Sequence, residues 1–330
     1  MVAVMFELSG ENPPLAEYEI ECILDTYGMK SDILYQENRV LVMELIDSPE
    51  IRELKSIFSR LAFTHTVSQY IASFDTDDIK SFTYEVNNVK FRVDAVRHNA
   101  SHPDIKRDAL ERIMGNGITG GSVSLSAPEV IFRAIISDRI YTGLLLSEND
   151  KSYLRERKPE SRPFSKPVSL SPKLARIMVN LALLKQGDKL LDPFCGTGGI
   201  LIESGFMDIY AEGADADREM IEGAKRNMEH FGIVGETFNI PVEKLSGISA
   251  DAIVTDPPYG RASSVFGNNI NEIYSSLNHL GADILVQGKR MVVMLPGDYT
   301  ELFSYFNVVN VFIIPVHRSL TRYLTVLERK

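Results

Sequence analysis

Residues 255–260, Thr-Asp-Pro-Pro-Tyr-Gly, set one carboxylate against two prolines and an aromatic ring, directly after the apolar run Ala252-Ile253-Val254. Proline cannot donate to a strand ladder, so Pro257 and Pro258 end that run and hold the local carbonyls rigid and extended. This grouping suits a planar exocyclic amine, which is a poor nucleophile because its lone pair is delocalised into a ring. Asp256 and the carbonyl of Pro257 can accept its two N–H bonds, favour a more tetrahedral nitrogen and aim the lone pair at an electrophile. Tyr259 can stack on the base and fix its plane. A plain strand-ending turn with a core tyrosine uses the same four residues.

A second constellation lies upstream. In Leu190-Leu191-Asp192-Pro193-Phe194-Cys195-Gly196-Thr197-Gly198-Gly199 a strand ends at Asp192, and the glycines let the backbone turn tightly beneath a ligand before a helix begins. Free N–H groups at a helix start suit an anion, either a pyrophosphate or an amino-acid carboxylate. The spacing departs from Gly-x-Gly-x-x-Gly, which makes a dinucleotide site the weaker choice. Asp215 closes the next strand, nineteen residues after Gly196, where open sheets place a carboxylate that accepts from a ribose diol. Helix capping is the other account of Asp215 and Asp217; we assign the ribose to Asp215 and the cap to Asp217. A contact near an adenine is expected from the following loop, at Asn239.

The elements that must position these groups follow from periodicity. From residue 173 onward, strand-like runs alternate with helical patterns, which means a parallel α/β sheet. The final stretch runs two strands together through a short polar turn and predicts an antiparallel hairpin at the sheet's end. Residues 155–172, with four prolines and dense positive charge, read as a linker. Upstream, the pattern β-α-β-β-α predicts a ferredoxin-like layout over residues 1–70, and a further α+β unit follows over 71–150.

The totals narrow the function. A chain of 330 residues with 44% hydrophobic content accommodates two or more cores. No run approaches a membrane span and no secretory leader is evident, so a cytoplasmic protein is expected. Cys22 and Cys195 are too few and too far apart for a zinc site, and no metal is expected. The net charge of −10 argues against nucleic acid when taken alone. Its distribution weakens that argument: residues 1–50 hold two basic and eleven acidic side chains, whereas residues 151–190 hold ten basic and three acidic. A solvated linker and a phosphate-facing strip both account for the basic run.

The segments DPFCGTGG, GADAD and DPPYG, in this order, resemble the class I S-adenosylmethionine-dependent amino-methyltransferases, whose motif is (Asp/Asn)-Pro-Pro-aromatic. RPFSKPVSLSPKLARIMVNLA, DPPYGRASS and VHRSLTRYLTVL are similar to segments of the archaeal tRNA (guanine-10-N2)-methyltransferases. VKFRVDAVRHNASHPDIKRDALERIMGNGI with VSLSAPEVIF resembles a THUMP RNA-binding domain preceded by its ferredoxin-like companion. The resemblance implies an α/β fold: a Rossmann-like class I methyltransferase domain over 173–330, mostly parallel with a C-terminal antiparallel hairpin. Before it would come a ferredoxin-like domain at 1–70, a THUMP domain at 71–150 and a basic linker at 151–172.

It further implies S-adenosylmethionine as cofactor, held by Phe164, Asp192, Phe194, Cys195, Gly196, Gly198, Asp215 and Asn239. Catalysis would fall to Asp256, Pro257, Pro258 and Tyr259, and tRNA contacts to Arg92, Arg97, Lys106, Arg107 and Arg112. Asn239 stands where many relatives have Asp, and its amide oxygen can accept the same adenine N–H. The linker has Phe-Ser-Lys-Pro in place of an aromatic-histidine pair, leaving Phe164 to pack on the adenine. In some relatives a small zinc-binding activator protein covers an apolar edge of the catalytic domain. Rival readings are another guanine N2 in tRNA or ribosomal RNA, an adenine or cytosine amine in DNA, a non-catalytic RNA-binding protein, and a dehydrogenase. His317 reads as structural, and Arg318 and Arg322 as facing RNA phosphate or water.

Overall fold

The computed structural model describes all residues except 38, 99–101, 103, 150, 167–168, 259–269 and 318–319. Its chain divides into two units, Met1–Ile20 with Gly28–Asn149, and Glu21–Tyr27 with Asp150–Lys330.

The chain opens with β1 (Val2–Leu8), α1 (Pro13–Thr26), β2 (Lys30–Glu37), β3 (Val40–Ile46), α2 (Ile51–Phe58) and β4 (Thr64–Phe74), of which the last six residues of α1 belong to the second unit. These strands stand in the order β2-β3-β1-β4 with every pairing antiparallel, which is the split β-α-β layout expected of a ferredoxin-like fold. On α2 the buried Leu54, Ile57 and Phe58 recur at helical spacing, so one stripe of the helix is apolar. The boundary expected at residue 70 falls inside β4, which pairs with β1 on one side and β10 (Ile140–Glu148) on the other. One sheet therefore runs through both expected domains, because an internal strand supplies ladder partners to each half.

Between β4 and β10 lie β5 (Tyr84–Glu85), β6 (Lys90–Arg97), α3 (Arg107–Gly117), β7 (Ile118–Thr119), β8 (Ser122–Val123) and β9 (Val130–Ile136). Here β6 runs parallel to β9, and β9 antiparallel to β10. Phe91, Val93 and Ala95 alternate along β6, as do Phe132, Ala134 and Ile136 along β9. Both sets join Leu110 and Met114 of α3 in one core. Glu7 is among the buried charged residues of this unit. It is 3% exposed, yet its carboxylate lies 2.8 Å from His98 Nε2, 2.7 Å from Arg133 Nη2 and 2.7 Å from the Thr66 hydroxyl.

The second unit begins with α4 (Lys151–Glu156) and α5 (Pro172–Leu181), and the segment between them is a linker only by composition. Arg157 and Arg176 both reach the fully buried Glu203, at 3.2 and 3.0 Å. Lys166 pairs with Glu219 at 2.9 Å, and Arg162 is 6% exposed. Much of the basic run thus neutralises acidic residues of its own unit, because a buried carboxylate such as Glu203 requires paired charge.

The remaining elements are β11 (Lys189–Asp192), α6 (Gly199–Gly205), β12 (Tyr210–Ala214), α7 (Arg218–His230), β13 (Gly235–Phe238), β14 (Ala252–Thr255), α8 (Ile270–Ile284), β15 (Arg290–Leu295), β16 (Phe306–His317) and β17 (Leu320–Arg329). They build a seven-stranded sheet in the order β13-β12-β11-β14-β15-β17-β16. The first five strands are parallel, while β17 is antiparallel to both neighbours. The chain winds outward from β11 to β13 and then returns to place β14 on β11's other side, so β11 and β14 flank the point where winding reverses. Ligands of open α/β sheets bind in the crevice at the carboxyl ends of such a pair.

Candidate active site

Both constellations open at that crevice. Asp192 ends β11 and Asp256 directly follows β14, and the two are tied through Thr255, whose hydroxyl donates to Asp192 Oδ1 at 2.7 Å. The same oxygen accepts the Phe194 N–H at 3.1 Å. Burial pushes the Asp192 carboxyl up to about 7 against the lowering effect of those two donors, and Asp256 and Asp215 add repulsion.

The turn itself is left-handed at Gly196 and Gly198, with φ of 49° and 81°, which glycine adopts without strain. A Cβ placed on Gly196 would meet nothing within 4 Å, whereas one on Gly198 would come within 3.3 Å of Ala224. The first faces open space and the second packs on α7. Cys195 donates its N–H to Ala214 O and is 5% exposed. Burial pushes its thiol well up, so Cys195 packs against β12 and does not act as a thiolate.

Asp215 follows β12 and accepts from Gly196 N at 3.0 Å and Asp217 N at 2.8 Å. Burial raises this carboxyl despite both bonds. Asp217 caps α7 through Glu219 N at 2.8 Å, the role assigned to it. Asn239 donates Nδ2 to the carbonyls of Asp215 and Ala216 at 3.0 Å each, an orientation that turns Oδ1 away as an acceptor.

Phe164 is linked to the glycine turn through Asn227. Its ring fills a notch in α7, where a Cβ on Gly223 would stand 2.0 Å from Phe164 Cδ1. Its backbone N–H and carbonyl both bond to Asn227, and Asn227 Nδ2 also donates to Thr197 O at 2.9 Å. The linker is thereby fastened to the glycine turn.

At the β14 end, Pro257 is buried and Pro258 half-buried, while Tyr259 lies outside the described residues. Asp256 Oδ2 accepts from Arg322 Nη1 at 3.2 Å. Asp256 Oδ1 is buried without a hydrogen-bond partner among the described residues. Burial raises the Asp256 carboxyl to about 6, with Arg322 opposing it. The orphaned acceptor, the open space over Gly196 and the carboxylate after β12 fit a site for a cationic nucleoside cofactor and an amine.

Residues 159–322 match the family UPF0020, RMKL-like, methyltransferase domain. The tRNA (guanine(10)-N2)-dimethyltransferase of Methanothermobacter thermautotrophicus is 36% identical over 338 residues, covering 99% of each chain. That of Pyrococcus abyssi is 31% identical, covering 98% of this chain and 99% of its own. The chain belongs to the tRNA (guanine(10)-N2)-dimethyltransferase family. In fold, this family member is also similar to the crystal structure of TrmN from Thermus thermophilus, with a TM-score of 0.56 at 17% identity, covering 99% of this chain and 100% of that one.

The family's expected RNA contacts separate into two groups. Arg92 grips Asp94 with Nε and Nη2, at 2.7 and 2.8 Å. Arg112 pairs with Asp108 at 2.8 Å, and Arg97 donates to the carbonyls of His102 and Ile105. Lys106 and Arg107 are exposed at the start of α3 and, with Arg97, Asp108 and Glu111, line a cleft of about 770 Å³.

Sequence reasoning missed Asn227, and it assigned Arg322 to phosphate or water. Arg322 is in fact 9% exposed and paired with the candidate catalytic carboxylate. Its distance from Asp256 along the chain hid the pairing, because only the antiparallel insertion of β17 brings the two together. Asn227 gave a signal of a kind: a polar residue on the apolar side of α7, one turn from Ala224 and beside Met228.

Proposed function

We propose that this chain methylates the exocyclic N2 of guanine 10 in tRNA, adding one or two methyl groups, in the cytoplasm. The observation that carries this reading is Asp256 at the carboxyl end of β14, beside the winding reversal, with Oδ1 buried and unpartnered. Among the described residues no helix is long and apolar enough to cross a membrane.

The cofactor is S-adenosylmethionine, which when bound supplies an electrophilic methyl on a sulfonium. Asp215 would hold the ribose diol, Asn239 Oδ1 would accept from the adenine amine, and the open backbone over Gly196 would admit the methionine part. Asp192, Asp215 and Asp256 give the crevice a negative potential that suits a cation. For the substrate, Asp256 Oδ1 and the Pro257 carbonyl accept the two N–H bonds of guanine N2, and Tyr259 stacks on the base. Attack by the N2 lone pair on the methyl leaves the nitrogen cationic with both protons still on it, and Asp256 Oδ1 can receive one of them. A carboxylate with a pKa of about 6 orients and relays without needing to be a strong base.

Residues 71–150 would serve as the THUMP region, with Lys106 and Arg107 meeting phosphate at their cleft. A small zinc-binding activator protein would meet the edge strand β16, where Val308, Val309 and Ile313 are exposed. The deciding experiment is transfer of labelled methyl from S-adenosylmethionine to unmodified tRNA transcripts with guanine 10 intact or replaced, followed by nucleoside analysis. N2-methylguanosine that vanishes with the replacement supports the reading. Label at another nucleotide keeps the chemistry and discards the position. No transfer, even with a candidate activator added, overturns it.

A further inference from the structure

We infer that Arg322 is a positioning residue for methyl transfer: reaching in from β17, it occupies Asp256 Oδ2 and so presents Oδ1 alone, ionised, to the substrate amine. The inference rests on Asp256 being the acceptor described above.

Three observations support it. Arg322 and Asp256 side chains are 11% and 14% exposed, with Nη1 to Oδ2 at 3.2 Å. Such a pair is shielded from the solvent that makes surface ion pairs weak. The two carboxylate oxygens are treated differently, one bonded to the guanidinium and the other buried and unpartnered among the described residues. A carboxylate fixed at one oxygen loses most of its freedom to rotate, so the second becomes a directed acceptor.

The charged groups packed around Asp256 also require such a cation. Asp192, on β11, repels it, and burial disfavours its charge. Among the described residues the opposing influence on Asp256 is that of Arg322, whose strand lies on the flank of β14 away from β11. Arg322 thus supplies both ionisation and aim, and no contact of its own with RNA is needed.

The test compares Arg322→Met and Arg322→Lys with the wild-type chain in single-turnover methyl transfer across pH and in steady-state kinetics, using whichever tRNA nucleotide the wild-type methylates. The acid limb of the wild-type profile marks ionisation of Asp256. In Arg322→Met that limb should move up by about one pH unit. The rate on its plateau should fall by about 100-fold through lost alignment. The tRNA KM and the affinity for S-adenosylhomocysteine, measured by calorimetry, should stay within about twofold. Arg322→Lys should restore the acid limb and only part of the rate, since an ammonium supplies charge without the planar fork.

An unmoved limb in Arg322→Met, or a raised KM with kcat intact, would overturn the inference, the latter in favour of a phosphate contact. If the methionine variant does not fold, Arg322→Lys decides alone: a plateau equal to wild type would remove the positioning role. A wild-type chain that transfers no methyl would instead sink the reading of Asp256, a failure separate from this one.

Discussion

Asn227 holds the peptide of Phe164 from both sides, accepting its N–H at 2.9 Å and donating to its carbonyl at 2.8 Å. The same amide nitrogen reaches Thr197 O, so one buried side chain fastens the incoming chain to the glycine turn. Truncation in Asn227→Ala strands three backbone groups and should cost about 2–4 kcal/mol of stability. Urea unfolding would show this, and S-adenosylhomocysteine should bind more weakly because Thr197 loses its anchor. An unchanged urea midpoint would contradict the clasp.

The crevice should lose protons when the cofactor binds. Asp192 at about 7 and Asp256 at about 6, both raised mainly by burial, are partly protonated near pH 6.5. Their burial penalty grows as pH climbs from the ordinary carboxylate range towards those values, because only the charged form is penalised. A sulfonium cation favours the ionised forms, so S-adenosylmethionine should release about half a proton or more at pH 6.5. S-adenosylhomocysteine, which lacks that charge, should release less. Calorimetry in two buffers of different ionisation enthalpy measures the difference, and identical heats for both ligands would refute it.

Acid should weaken the first unit through Glu7. Burial alone would raise this carboxyl, but His98, Arg133 and Thr66 together hold it at about 2, below its ordinary 4.5. Its folded value is depressed, so the stabilisation is complete above 4.5 and is lost as pH falls towards 2. The linkage amounts to about 3 kcal/mol. Glu7→Gln should therefore be markedly less stable than wild type at pH 7, with the gap narrowing below pH 4 in urea titrations. A gap independent of pH would show that the ion pairs do not set it.

Charge reversal should separate free cations from paired ones. Lys106→Glu with Arg107→Glu should weaken tRNA binding by about tenfold or more and flatten the salt dependence by about two ion equivalents. Arg92 and Arg112 already face carboxylates at 2.7 and 2.8 Å, so their replacement by Gln should change affinity far less. Equal effects from both pairs would argue against the cleft as the phosphate contact.

What the sequence disclosed was local. A glycine turn, a strand-ending proline pair and a capping aspartate each declare themselves within a few residues, because backbone constraints act at that range. The parallel sheet and its terminal hairpin followed from periodicity in the same way. Hidden were relations spanning tens of residues: Asn227 with Phe164, Arg322 with Asp256, and Arg157 with Glu203. The basic stretch misled for this reason, since composition cannot reveal that Glu203, 0% exposed, waits inside to neutralise it. The double pairing of β4 was hidden likewise, because a strand serving two halves of one sheet looks the same in sequence as a strand ending one.

β17 comes after β16 in the chain yet lies inside it in the sheet, bonded to β15 on one side and β16 on the other. During synthesis the edge strand emerges before the strand that must separate it from the rest. Until β17 enters, β15 has an open flank that invites pairing with other chains, and Asp256 lacks the guanidinium beside it. Completion of the sheet and pairing of the candidate catalytic carboxylate are therefore one event: a nascent or misassembled chain in which β17 has not docked leaves Asp256 without its guanidinium partner, however well the rest of the crevice has formed.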